Sequence, residues 1–265
     1  MTQLAPDHAW LELGGRRALV TGGTANVGRA VVEGFAAAGA DVAVIGGSNA
    51  EALEETLGAI RSNGVSAVGR LQQLDDGAGV QRTVAEILDE LGGVDILVNI
   101  AAVRPRVDLA DITLEDWDRV MAINLRAPFL LAQAVLPGMR ERHHGRIVNF
   151  SGMNAYWGRK GRTHVVTSKG GMVALTRALA ADTATDGITV NAVIPGTLDT
   201  ERQHPDWYPN PEERRARQLQ RVPMARLGDV HDVVSLVLFL ASSRSGYSTG
   251  HEYFVSGGAF PLVQE

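Results

Sequence analysis

RRALVTGGTANVGRAVVEGFAAAGADVAVIGG, residues 16–47, sets two apolar runs on either side of a glycine-rich turn and a helical segment. The apolar run RRALV (16–20) ends in the turn Thr21-Gly22-Gly23-Thr24-Ala25-Asn26-Val27-Gly28, the spacing predicts a helix over 27–38, and DVAVI (41–45) is a second β-branched run. A strand that passes through glycines directly into a helix and returns as a strand is a βαβ unit, whose crossover makes the two strands parallel. At such a turn, backbone N–H groups and the helix start face outward together and suit an anion such as a pyrophosphate.

Working outward, the alternation continues. Further strands are predicted at VSAVG (65–69), VDILV (94–98), RIVNF (146–150), ITVNAV (188–193) and EYFV (252–255), with helices over 50–62, 77–91, 113–141, 164–184 and 229–241. Strands that read as unbroken apolar runs between helices are buried on both faces. The expectation is an α/β, single-domain, Rossmann-like doubly wound sheet of about seven parallel strands with helices on both faces. Residues 1–12 read as an N-terminal extension and 13–196 as the nucleotide-binding core. The polar, Pro-punctuated stretch 197–223, TLDTERQHPDWYPNPEERRARQLQRVP, follows the sixth strand, where open α/β sheets bind ligands, and reads as a substrate lid. Its alternative is a solvated surface helix.

Composition narrows the function. The chain has 265 residues, 45% hydrophobic, with 25 Lys+Arg against 30 Asp+Glu and a net charge of −5, which fits one globular domain and argues against nucleic acid as a partner. No apolar run approaches the roughly 20 residues of a membrane span, and the N-terminus lacks a signal peptide, so a cytoplasmic protein without a membrane partner is expected. Cysteine is absent, which removes disulfides, thiolate metal sites and cysteine nucleophiles. His143-His144 is too short for a metal site, and no metal is expected. Lys160 and Lys169 are the only lysines.

The opening turn, together with VDILVNIAA (94–102), MAINLRAP (121–128), GRIVNFSG (145–152), SKGGMVALTRALA (168–180), ITVNAVIPG (188–196) and VSGG (255–258), closely resembles the short-chain dehydrogenase/reductase family over residues 13–260, in particular members like 3-oxoacyl-ACP reductases. The resemblance implies NAD or NADP as cofactor and a homotetramer or homodimer, with the helices over 113–141 and 164–184 as the contact. It places cofactor contacts at Thr21, Gly22, Asn26, Val27, Gly28, Gln73, Asn99, Lys169, Pro195, Gly196 and Thr200. Several positions depart from the family pattern. Asn26 stands where the turn's middle glycine belongs, Ala25 where a basic residue is common, Gln73 where an Asp meets adenine, and Ala102 where a glycine packs near the nucleotide. After the second strand, Gly46-Gly47-Ser48-Asn49 offers neither an acid for a ribose hydroxyl nor an Arg for a 2′-phosphate. Asn tolerates left-handed backbone, so the turn is expected to survive, with cofactor binding weakened or reoriented.

The family moves protons with Asn, Ser, Tyr and Lys. Asn124 and Lys169 match; Val165 stands at the Tyr position and Gly152 at the Ser position. Tyr156 and His164 are the candidate replacements, with Ser151 and Asn154 as further hydrogen-bonding groups. Tyr156 could instead pack beside Trp157 as a wall, and His164 could be a surface or capping residue. Arg104 and Arg106, then Arg159, Lys160 and Arg162, then Arg202, Arg214, Arg215, Arg217 and Arg221 lie on loops that converge at one sheet edge, which suits a small anionic substrate. Those of the 197–223 stretch could equally pair with Asp199, Glu201, Glu212 and Glu213. Three functions are carried forward. The first is hydride transfer to or from a conjugated alkene, iminium or carbonyl with a non-standard proton donor, the alkene or iminium fitting better than a simple ketone because carbonyl reduction leans hardest on the acid. The second is non-redox lyase, isomerase, dehydratase or hydrolase-type chemistry, and the third is a catalytically silent scaffold subunit.

Overall fold

The computed structural model describes residues 13–200 and 210–262. The expected strands form as β1 Arg17–Thr21, β2 Asp41–Gly46, β3 Ala67–Leu71, β4 Ile96–Asn99, β5 Gly145–Phe150, β6 Ile188–Pro195 and β7 Glu252–Val255. They make one parallel sheet of order β3-β2-β1-β4-β5-β6-β7. The order reverses between β1 and β4, which opens a crevice at the carboxyl ends of those strands.

Helices α1 Asn26–Ala37, α2 Ala50–Arg61, α3 Gly77–Leu91, α4 Leu114–Met121, α5 Ala127–Glu141, α6 Thr163–Thr183, α7 Pro211–Leu219 and α8 Val230–Ala241 complete the described chain. Strand side chains alternate between two cores, which is why the strands carry no exposed polar face. Val20, Val98 and Val148 pack with Val31 and Phe35 of α1 and Leu238 of α8. Leu19, Leu97 and Ile147 pack on the other side with Ile87 of α3 and Leu131 of α5. Burying each such side chain contributes about 1.5–3 kcal/mol.

At the carboxyl end the apolar runs stop. In the sheet register Thr21 lies beside Asn99, Asn99 beside Asn149, Asn149 beside Ala192 and Ala192 beside Glu252. This polar row lies on the face that α6 covers, where Asn149 Nδ2 reaches Thr176 at 3.0 Å. At the opposite end, Asp95 is clamped by Arg17 (2.9 Å) and Arg142 (2.9 Å). Burial raises its carboxyl, but the Arg17 hydrogen bonds and both guanidinium charges outweigh burial and hold it below the ordinary carboxylate range.

Two expectations change. The helix expected over 113–141 is interrupted by a π turn, Ala122–Arg126, between α4 and α5. Asn124 in that turn binds both backbone groups of Val103, and an i to i+5 turn lets its side chain face that loop. The same stretch, Leu114–Glu141, is by length and composition apolar enough to cross a membrane, unlike the reading from uninterrupted apolar residues; half of its most apolar 18-residue window is buried here. The described part of the 197–223 lid reading holds α7, where Arg215 pairs with Asp199 at 2.6 Å and Arg217 with Glu213 at 3.7 Å. The rest of that lid reading (201–209, with Glu201 and Arg202) and the 1–12 extension lie outside the described residues.

Candidate active site

The glycine turn is built by close approach. Gly22 has φ 72° and its N–H donates to Ile45 O at 2.9 Å, while a Cβ at Gly28 would stand 1.9 Å from Gly22 O. Asn26 takes φ 48°, the left-handed conformation expected of the residue that replaces a glycine there. Side chains cap α2, α3, α4 and α8, through Asn49, Asp76, Thr113 and Asp229, whereas α1, following Ala25, has no side-chain cap, as is also true of α5, α6 and α7. The α1 amides therefore have no competing side-chain acceptor, as an anion site requires. Val27, the next residue of the turn, packs against the core beneath it.

Thr21 Oγ1 accepts from the amides of Ile100 and Ala101 at 3.2 and 3.3 Å, pinning the strand after β4 under the turn. Asn99 Nδ2 donates to Asn149 at 2.8 Å, and its Oδ1 is buried without a partner among the described residues. An orphaned acceptor beside an uncapped helix start fits a ligand that brings both phosphate and hydroxyl groups. Toward the far end of the crevice the residues are neutral. Asn49 is committed to Ala52 N, Gly47 and Ser48 are exposed, and Gln73 is exposed with its carbonyl accepting from Asp76 N. At the other end Gly196 N donates to Val255 O at 2.8 Å, and a Cβ at Gly196 would stand 2.7 Å from Ser256 Cα. Pro195 precedes it and Thr200 follows, its N–H bonded to Leu198 O at 3.1 Å.

Asn124, Ser168 and Lys169 come together. Asn124 Nδ2 donates to Ser168 Oγ at 3.0 Å, and Lys169 Nζ donates to Phe150 O at 2.8 Å. Lys169 is 5% exposed, and burial, with Arg104 adding to it, lowers its amine to about 7. Val165, one turn before Lys169, is fully buried. Gly152 has open space where a Cβ would be.

The two candidate proton donors read from the sequence, Tyr156 and His164, are placed differently. Tyr156 donates its hydroxyl to Glu252, which also binds Arg177, and its ring sits 5.0 Å from Phe254 and 5.1 Å from Phe260. Trp157 also packs against Phe260. His164 is buried, with both ring nitrogens unpartnered among the described residues; burial lowers its pKa, which Asp116 partly offsets and Arg162 reinforces. Ser151 donates to Lys169 O at 2.8 Å and so fastens β5 to α6. Sequence reasoning missed Ser168, Glu252 and Asn149. Asn149 and Glu252 left a trace as polar residues inside apolar runs, while Ser168 left none.

The chain belongs to the short-chain dehydrogenase/reductase family: a family model described as enoyl-(acyl carrier protein) reductase matches residues 23–259. It is 37% identical to a (2S)-[(R)-hydroxy(phenyl)methyl]succinyl-CoA dehydrogenase subunit from Thauera aromatica over 92% of this chain and 96% of that one. It is 34% identical to the 3-oxoacyl-[acyl-carrier-protein] reductase of Aquifex aeolicus over 94% of this chain and 99% of that one. The crystal structure of a blue fluorescent protein from a metagenomic library, in complex with NADPH, superposes with a TM-score of 0.87 at 34% identity, covering 94% of this chain and 99% of that one.

Proposed function

We propose that this protein is an NAD(P)-dependent oxidoreductase that interconverts the carbonyl and hydroxyl forms of a small anionic substrate with a non-standard proton donor. The observation that carries the reading is the turn at Thr21–Gly28, whose backbone geometry is retained through Asn26 in left-handed conformation. Thr21, Gly22, Asn26, Val27 and Gly28 would hold the pyrophosphate, Gln73 the adenine side, Asn99 and Lys169 the ribose side, and Pro195, Gly196 and Thr200 the nicotinamide side. The bound nucleotide supplies or accepts hydride. Asn124 fixes the loop after β4, and Arg104, whose charge reaches Lys169, provides the attraction for an anion.

Gly152 and Val165 occupy the positions at which the family carries Ser and Tyr, so the proton comes from elsewhere. Carbonyl and alcohol substrates are favoured over the alkene and iminium alternatives because the curated relatives are named for a hydroxyacyl-CoA and a 3-oxoacyl thioester. A screen of NADH and NADPH oxidation with 3-oxoacyl thioesters and keto acids tests this. Turnover should require nucleotide, and Arg104→Ala should raise KM for the anionic compound about tenfold or more. Turnover without nucleotide would instead support the non-redox reading.

The relative from Thauera aromatica is named as a subunit, which favours one second reading: a chain that lends its fold to an active partner. For either reading the proposed assembly surface is the apolar groove along α4 to α6, lined by Met121, Leu125, Phe129 and Leu175. Light scattering should give a dimer or tetramer, and Phe129→Glu should shift it toward monomer.

A further inference from the structure

Among the described residues, three hydroxyls around the end of β5 each already have an acceptor. Ser151 donates to Lys169 O, Ser168 to Val165 O and Tyr156 to Glu252. His164 lies roughly 140° around the helix from Lys169, whereas Val165 lies roughly 40° away, on the lysine's own face. Between Val165 and Lys169 that face carries no group able to release a proton except Nζ. An ammonium has three N–H bonds, and Lys169 uses one, on Phe150 O. Two residues beyond that carbonyl, Gly152 leaves open space.

Resting on the hydride-transfer reading above, we propose that Lys169 is the proton donor itself, handing the proton from Nζ to the substrate oxygen in the space that Gly152 and Val165 leave without a hydroxyl. In reduction the carbonyl carbon accepts hydride from the reduced nicotinamide dinucleotide, the C=O π pair goes to oxygen, and oxygen forms its O–H bond with the proton from Nζ. Lys169 is left as a neutral amine and recovers a proton from water. The nucleotide loses two electrons and the substrate gains them. Alcohol oxidation runs the same path backwards, with the neutral amine as base.

The surroundings fit this exchange. Arg104 is the charged group whose field reaches Nζ; β5 presents the Phe150 carbonyl and Ser151, and the π turn presents Asn124 through Ser168. Burial and the Arg104 charge lower the amine to about 7, so both protonation states are populated near neutrality, as a group that alternates between acid and base requires. An arginine in its place would keep the cation and a donor to Phe150 O but could not give up its proton.

With only two lysines in the chain, the amine can be followed directly. In the full-length protein labelled with 13C-lysine, the two Cε signals are assigned with K160R and titrated from pH 5 to 10. Lys169 should titrate near neutrality. NADH and NADPH binding is measured by calorimetry, and reduction is followed with acetoacetyl-coenzyme A and further 3-oxo acids. K169R, measured at saturating nucleotide, should lose at least about 100-fold in kcat, and added methylammonium should restore part of the K169A activity. Reduction by the parent should fall tenfold per pH unit above the Lys169 midpoint. An amine titrating at the ordinary value, or K169R retaining kcat, overturns the donor role while leaving the nucleotide reading in place. Failure of all nicotinamide nucleotides to bind overturns that reading, and the donor role with it.

Discussion

Lys169 is a cation buried in a protein whose other cations are arginines apart from Lys160, and its environment has a measurable cost. Its folded value of about 7 lies below the ordinary 10.5, so between the two the unfolded chain holds a proton that the folded chain lacks. Stability from this group therefore rises with pH across that window, by about 1.4 kcal/mol per unit, and is lost on acidification toward pH 7. Urea unfolding at pH 7 and pH 9 should show this rise, and Lys169→Met should remove it; equal slopes in both proteins would mean that the amine titrates normally. Asn26 is the second residue on which the site turns. At φ 48° a β-branched side chain is strained where Asn is tolerated, so Asn26→Val should lower stability by about 1–3 kcal/mol and weaken nucleotide binding, while Asn26→Gly preserves both. Unfolding and binding curves for the pair separate the backbone effect from any contact made by the amide.

At the scale of elements, the turn between β1 and α1 is held by contact too tight for a side chain. A Cβ at Gly28 cannot fit 1.9 Å from Gly22 O without moving α1 off the strand. Gly28→Ala is thus expected to abolish nucleotide binding and reduce stability, and unaltered calorimetric binding in that variant would contradict the placement. The seven strands were legible because parallel strands buried on both faces have to be continuous apolar runs. The π turn at Ala122–Arg126 was not, because its cause is tertiary: Asn124 reaches Val103, far away in sequence. Tyr156 shows the same limit. Its position on the loop after β5 was readable, but its commitment to Glu252 depends on β7 arriving 96 residues later.

For the molecule as a whole, the sheet separates two polar ends by a dry core. Polar side chains gather at the carboxyl end, where Thr21, Asn99 and Asn149 form a row, and the opposite end is closed by Asp95 between Arg17 and Arg142. Asp95→Asn would leave two guanidinium groups without their shared carboxylate, with an expected loss of about 3 kcal/mol and little change in nucleotide affinity. Chemical denaturation and calorimetry on the one variant check both halves. His144 lies at that end as well, and burial, with Arg146 and other nearby charges, lowers it to about 4. It stays neutral in the folded chain while the unfolded chain protonates, so it contributes a loss of stability as pH falls from about 6.5 toward 4. The crevice at the strand switch was inferable from topology, whereas the choice between NAD and NADP was not, since Gly46-Gly47-Ser48-Asn49 places no charge there.

Everything claimed for the carboxyl end depends on whether a nicotinamide nucleotide occupies it. Calorimetric titration of the full chain with NAD, NADH, NADP and NADPH is the most direct measurement. Micromolar binding of at least one form, lost in Gly28→Ala, is the expected result; no heat of binding from any of the four would contradict hydride transfer as the function of this fold.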